Sequence, residues 1–477
     1  MKTNVARPPI RTHEGGIAKR INPEQQLRRS VMGCMLFEAE YYEDGETVAD
    51  RIRKTIPLVC PAVVAAIAVE AREKMKLRHV PLLIVREMAR LPAFKPFVAE
   101  TLARVIQRAD ELAEFCAIWQ KDDPKPLSKT LSAQAKKGLA KAFGKFSEYE
   151  LAKWSRDGAV KLRDVLFLCH AKPKDADQDA LWKRLIAGTL ATPDTWECEL
   201  SASKDKLASW TRLLTEKKLG ALALLRNLRN MTEAKVPTSL VRTAISEMKA
   251  ERVLPFRFIA ASRVVPALED AIEPAMLRCV SDQPKLPGKT VLLVDVSGSM
   301  EQPLSAKSDM KRIDAANGLA VLLREICEEV AIYSFSMKLC VIPPRRGFAL
   351  RDAILNSQEH SGTPLGLAVK CIYADTNMRA DACSVLTLSG DHTVLPASYQ
   401  GQALRPDRLI VITDEQSADK VPDPFHGKGY MINVASQKNG VGYGPWIHID
   451  GFSEAVVDFI RVLEGAPVPT ADEPAAL

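Results

Sequence analysis

A change of hydrophobic pattern near Pro284–Pro287 constrains this chain more than any other feature. Before it, apolar residues recur three and four apart, as at Leu112, Phe115, Cys116 and Trp119, which is the spacing of a helix with one buried face. After it, Thr290–Val294 reads TVLLV, a continuous apolar run bounded by turn residues. A strand covered on both faces of a parallel sheet has that composition. The chain of 477 residues is long enough for two or three domains, so a helical part and an α/β part are expected in sequence.

In the first part, the spacing predicts helices over 58–73, 82–90, 97–109 and 110–120. Prolines 81, 96, 124, 126 and 173 fall near the breaks, where a first turn tolerates them. Ser147 and Glu150 have the spacing of a capping box that starts a further helix. Few alternating runs suggest sheet. Short helices on short turns imply stacked antiparallel pairs, as in a HEAT-like solenoid, although no clean repeat period recurs.

In the second part, strands are expected over 290–294, 329–336, 408–413 and 429–434, and helices over 310–327 and 364–373. A last helix is expected over 453–463 with Ser453 as its N-cap. Alternating strands and helices imply a doubly wound, mostly parallel sheet. Residues 383–406 read as an irregular excursion, and 466–477, rich in Pro, Ala and acid, as a disordered tail. The expected domains are therefore 10–285, all α, and 286–465, α/β.

The net charge of +7 hides an asymmetry: residues 1–285 hold 49 Lys and Arg against 36 Asp and Glu, whereas 286–477 hold 17 against 23. A basic helical domain suits a polyanionic partner, because Lys and Arg that neutralise phosphates release counterions; a merely solvated surface is the competing reading. No apolar run approaches the roughly 18 residues of a membrane span, and the basic N-terminus lacks a signal peptide's apolar core. A cytoplasmic location is expected. The ten cysteines are scattered, with no Cys-x-x-Cys pair, and are expected to be buried thiols. Five tryptophans, Trp119, Trp154, Trp182, Trp196 and Trp210, are expected in the core.

Asp295-Val296-Ser297-Gly298-Ser299 follows directly on the first strand. Ligands in open α/β sheets bind at the carboxyl ends of strands. Alternate spacing aims three hard oxygen donors at one point, suited to a divalent cation: Mg²⁺ first, with Mn²⁺ or Ca²⁺ as alternatives. Gly298 is expected to let the loop turn closely. Thr363, just before a helix, and Asp414, just after a strand, complete a five-residue candidate set. The site is rich in hydroxyls and poor in the carboxylates a two-metal nuclease needs. With no P-loop and no nucleophile–base pair, no enzyme activity is expected.

This D-x-S-x-S run, with the Thr363 loop and the Thr413-Asp414 pair, resembles the metal-ion-dependent adhesion site of von Willebrand factor A domains. That resemblance implies a metal that binds a partner and does no hydrolysis. It implies Ser297, Ser299 and Thr363 as hydroxyl ligands, with Asp295 direct or through water and Asp414 through water.

The pairing of that domain with a basic helical one resembles the Ro, or TROVE-domain, family of the bacterial type. Leu219–Met231 looks like the family's L-L-R-N-L-x-x-M helix, Leu166–Pro173 like its L-x-H-x-K-P element, and Thr12-His13-Glu14-Gly15-Gly16 like the start of bacterial members. Gly451-Phe452-Ser453 before the last helix also fits. The resemblance spans about 10–465. It implies a helical-repeat ring closed by the α/β domain, monomeric. It implies binding of small noncoding Y RNA and of misfolded RNA with single-stranded 3′ ends, and work beside an exoribonuclease in RNA quality control or maturation.

The candidate RNA contacts are Lys136, Lys137, Lys141 and Lys145, about one helical turn apart, then Lys153, Arg156, His170, Lys172 and Lys174. By the family's spacing, Lys153 and His170 match RNA-contacting positions. Arg156 departs from it: the aligned position is Asp157. The competing reading of the lysines is a solvated helix face. The competing function is a metal-dependent adaptor whose α/β domain grips an acidic protein partner.

Overall fold

The computed structural model describes residues 10–18, 21–32, 45–75, 77–121, 125–155, 158–192, 196–202, 205–249, 253, 255–281, 284–304, 310–374, 385–387, 406–424, 428–435, 440–442, 444–451 and 455–465. Among the described residues the architecture is mixed: helices first, then a seven-stranded sheet with helices. Among the described residues, one compact unit runs from Asn22 to Ser209, and the other joins residues 10–21 to Trp210 and beyond. Compactness therefore divides the chain well before the sheet begins at Leu286.

Among its described residues the first unit holds helices and no strand. Pro61–Glu73, His79–Arg90, Lys95–Val105, Asp110–Gln120, Ala133–Phe143, Glu148–Trp154, Leu162–Cys169 and Ala176–Ala187 share one apolar core. The sequence signals act locally as expected. Pro61 and Pro96 sit in first turns. Ser147 N donates to Glu150 Oε2 at 2.9 Å and Glu150 N donates to Ser147 Oγ at 3.4 Å, closing the capping box. One charge pair is sealed in this core. Arg72 reaches Glu111 at 2.7 Å and the Val105 carbonyl at 2.9 Å. The second Glu111 oxygen accepts from the backbone of Gln107 and Arg108. Every bond that such a buried carboxylate needs is supplied, which limits its desolvation cost.

Trp119, Trp182 and Trp210 are buried as expected, whereas Trp154 and Trp196 are only half-buried. Cys116, Cys169, Cys327, Cys340 and Cys371 are buried free thiols, and burial pushes the Cys116 thiol up to about 12. Cys60 is exposed.

In the second unit the strands are β1 (Leu286–Asp295), β2 (Cys327–Phe335), β3 (Lys338–Ile342), β4 (Val385–Thr387), β5 (Arg408–Thr413), β6 (Lys428–Asn433) and β7 (Ile447–Asp450). Their order is β4-β3-β2-β1-β5-β6-β7. β3 and β4 join antiparallel at one edge, and the remaining pairs are parallel. The last six residues of β1 are buried, as its composition requires. Val291, Leu293, Tyr333 and Phe335 pack against Leu365, Val369 and Ile372 of helix Leu365–Ala374.

Helices Ala221–Glu233, Thr238–Glu247, Pro255–Val264 and Glu269–Ser281 belong to this unit. Pro255–Val264 and Glu269–Ser281 pack onto helix Arg312–Ile326, with the other two packed against them; Gly318 lies so close to Phe256 that a Cβ would stand 3.1 Å from its backbone nitrogen. Arg263 pairs with Asp314 at 2.5 Å, and Arg351 with Glu269 at 2.9 Å.

β3, β4, helix Gly347–Leu355 and β7 lie outside the sequence reading, β4 within the stretch read as irregular. Of the excursion over 383–406, β4 and Pro406 are described; Ser453 and the tail 466–477 lie outside the described residues.

The last helix is pinned by a buried charge. Arg408 donates to Glu464 Oε1 at 2.9 Å, Tyr430 Oη donates to the same oxygen at 2.8 Å, and Lys428 Nζ lies 3.0 Å from Oε2. Burial works against the Glu464 carboxylate, but these donors outweigh it and hold its pKa down at about 2. A depressed carboxyl stabilises fully above its ordinary value and loses that contribution as pH falls through the folded value. Wild type is therefore expected to lose about 2 kcal/mol more than Glu464→Gln between pH 6 and pH 3. Urea titrations of both proteins would read this; parallel curves would contradict it.

Candidate metal centre and nucleic-acid interface

β1 and β5 are neighbours, and their chain connections run to opposite sides, so their carboxyl ends open a crevice. Val294 lies opposite Ile412, which brings the next residues together. Thr413 Oγ1 donates to Asp295 Oδ2 at 2.5 Å, and Ser297 N donates to Asp295 Oδ1 at 2.8 Å. Ser297 and Ser299 hydroxyls stand 3.3 Å apart. Gly298 N donates to the Ser361 carbonyl at 2.8 Å, which draws the Thr363 loop to the same end. The glycine itself is not required for the turn: its φ is not positive, and a Cβ would meet Ser361 only at ordinary contact distance.

Asp295, Ser297 and Asp414 are fully buried, Thr363 nearly so, and Ser299 half-buried. Burial, and then the charge of Asp414, push the Asp295 carboxyl up to about 7. Arg312, also buried, reaches Asp414 at 3.2 Å. Two buried carboxylates and the Ser297 and Ser299 hydroxyls, with Thr363 on a loop drawn to the same end, supply hard oxygen donors of the kind Mg²⁺, Mn²⁺ or Ca²⁺ takes. The electrostatic cost visible at Asp295 is of the sign a bound cation would relieve. The residues present thus fit the group. Among the described residues, no cluster of three or more His, Cys, Asp or Glu side chains is arranged to hold a metal.

Sequence reasoning missed the scaffold of the Asp414 loop, whose partners are distant in sequence. Glu415 adopts a left-handed backbone, φ 61°. Its N donates to Thr413 Oγ1 at 3.0 Å, its Oε2 accepts from Gly442 N at 2.8 Å, and its Oε1 lies 2.6 Å from His448 Nε2. Asp450 Oδ1 lies 3.3 Å from the same nitrogen.

The candidate RNA contacts lie in the other unit, on helices Ala133–Phe143, Glu148–Trp154 and Leu162–Cys169 and just beyond them. Lys137, His170, Lys172 and Lys174 are exposed, and Lys136 and Lys153 half-buried. Among the described residues, Lys136, Lys137, His170 and Lys172 enter no side-chain hydrogen bond or ion pair. Lys141 pairs with Glu100, an exposed pair. Lys145 is committed to the fold: its ammonium caps the end of helix Lys95–Val105 through the carbonyls of Ala103 and, at 2.5 Å, Ile106. Burial lowers its pKa. Arg156 lies outside the described residues.

His170 closes helix Leu162–Cys169 in the left-handed region, φ 53°, a position that favours glycine. Two aromatics accompany the basic residues, and sequence reasoning passed over both. Phe167 is 58% exposed and Tyr149 51% exposed. Lys153 Nζ lies 5.8 Å from the Tyr149 ring and 5.6 Å from that of Trp154. The helical pattern marks Phe167 as facing away from the core, since Val165, Leu166 and Cys169 carry the buried face. No helix among the described residues is long and apolar enough to cross a membrane.

A model of the TROVE domain matches residues 176–316. The chain is 26% identical over 220 residues to telomerase protein component 1 of Mus musculus, a match covering 42% of this chain and 8% of that protein's length. Its fold is similar to that of the Ro (Rsr) protein of Deinococcus radiodurans, with TM-score 0.54 and 17% identity, over 91% of this chain and 97% of that one.

Proposed function

We propose that this chain is a Ro-type, non-catalytic RNA-binding scaffold. Its ligands are small noncoding Y-like RNA and misfolded RNA with single-stranded 3′ ends, and its work is RNA quality control or maturation beside an exoribonuclease. The observation that carries this reading is the set of uncommitted basic side chains at Lys136, Lys137, His170 and Lys172, flanked by exposed Tyr149 and Phe167. Phosphates take the lysines, and unstacked bases take the aromatic and imidazole faces. The TROVE match and the Ro-like fold support it. In this reading the helices form a HEAT-like array, and the sheet with its helices a von Willebrand factor A domain.

The second site has its own role. Asp295, Ser297, Ser299, Thr363 and Asp414 would hold one divalent cation. When bound, the cation supplies a Lewis-acidic position for an acidic group of a partner. The half-buried Ser299 is the ligand through which that group would approach. An adaptor that grips acidic proteins through this site alone is the second reading, and the donor set is the observation that favours it. Recovery and sequencing of RNA crosslinked to the chain in its own cells decides between the two.

A further inference from the structure

The loop that follows Asp414 is tied to three other segments. Ser417 Oγ donates to the Thr363 carbonyl at 3.2 Å, and Ala418 N donates to the same carbonyl at 2.9 Å. Asp419 receives the backbone N–H groups of Gly366 and Leu367 at 2.7 Å each, at the start of helix Leu365–Ala374. Loop 416–419 therefore sets the distance between two of the five candidate ligands, Thr363 and Asp414.

The third tie comes from the far end of the chain. Residues 10–18 form a small hairpin: Ala18 N donates to the Ile10 carbonyl at 2.8 Å, Thr12 N to the Gly16 carbonyl at 2.9 Å, and Arg11 bridges Ile17. Thr12 Oγ1 donates to the Ser417 carbonyl at 2.6 Å, and His13 N donates to Gln416 Oε1 at 2.8 Å. Thr12 and Gly16 are buried there. A Cβ on Gly16 would overlap the Ser417 carbonyl oxygen and stand 2.7 Å from that of Asp419. Both obstacles are backbone, so a larger residue must displace loop or hairpin.

We propose that the Thr12–Gly16 turn is a clamp on the metal site. Thr12 and Gly16 are positioning residues that hold loop 416–419, and through it Thr363 and Asp414, at ligating distance. The proposal rests on the metal reading of Asp295, Ser297, Ser299, Thr363 and Asp414. It joins the hairpin at residues 10–18 by direct contact to a loop some 400 residues away in sequence, and through that loop to the site. A change that frees the hairpin thus lowers metal affinity without touching a ligand.

The test is Mn²⁺ titration calorimetry on the full chain, with far-UV circular dichroism and the metal-free thermal midpoint read alongside. Thr12→Val keeps the shape and removes the hydroxyl; Gly16→Ala adds the obstructing Cβ; Thr12→Ser restores the donor. Thr12→Val and Gly16→Ala are expected to weaken Mn²⁺ binding by about tenfold with helix content retained, and Thr12→Ser to bind as wild type. Should Gly16→Ala fail to fold, the Thr12 pair decides alone. Wild-type affinity in Thr12→Val overturns the clamp while leaving the metal reading standing, even where the metal-free midpoint falls. Equal weakening in Thr12→Val and Thr12→Ser also overturns it. A wild-type chain that takes no Mn²⁺ overturns the metal reading itself.

Discussion

Alanine at both Lys153 and His170 is expected to weaken binding of a structured small RNA by about a hundredfold, through one lost phosphate contact and one lost base contact. Neither side chain enters a hydrogen bond or ion pair among the described residues. Lys153 lies near two aromatic rings. The His170 backbone adds a second reading of the same experiment. A non-glycine residue in the left-handed region costs about 1 kcal/mol, so His170→Gly should stabilise the chain by about that much while weakening RNA binding. A stability gain with a binding loss separates recognition from folding at one residue. Wild-type affinity in the Lys153/His170 variant would show that the RNA binds elsewhere.

Asp295→Asn is expected to remove divalent-metal binding. Asparagine keeps the shape and can still accept from Ser297 N, but it lacks the charge that a hard cation takes. The affinity loss should exceed the roughly 10–100-fold that follows removal of an outer partner of a metal ligand. RNA binding should be unchanged, because the candidate contacts at 136–174 lie in the other compact unit. Mn²⁺ calorimetry and an RNA gel shift on the same preparation read both. Retained metal binding would remove Asp295 from the ligand set. Loss of both activities would make the metal part of RNA recognition.

The legible parts of this structure are those whose signal is local. The run TVLLV marked β1 because a doubly covered strand is apolar throughout. Ser147 and Glu150 marked a helix start because a capping box closes within three residues. Asp295, Ser297 and Ser299 stand close together because they follow one another from the end of β1 into the next turn. What lay hidden depends on neighbours far away in sequence. β3 and β7 are short, and too few residues alternate to show a period. The role of Lys145 is fixed by a helix end some 40 residues earlier. Arg312 meets Asp414 because helix Arg312–Ile326 packs beside β1, which no motif records. The same holds for Thr12 and Ser417, and for the division between compact units near Ser209, ahead of the change in pattern at Pro284.

The central claim is that the basic helices bind RNA, and crosslinking in the chain's own cells tests it most directly. RNA covalently trapped on the full-length protein is sequenced, and the crosslinked peptides are mapped. The account predicts strong enrichment of one small structured RNA, with crosslinks falling between residues 136 and 174. RNA at background level, or crosslinks confined to other parts of the chain, would contradict it and leave the metal-dependent adaptor as the standing reading.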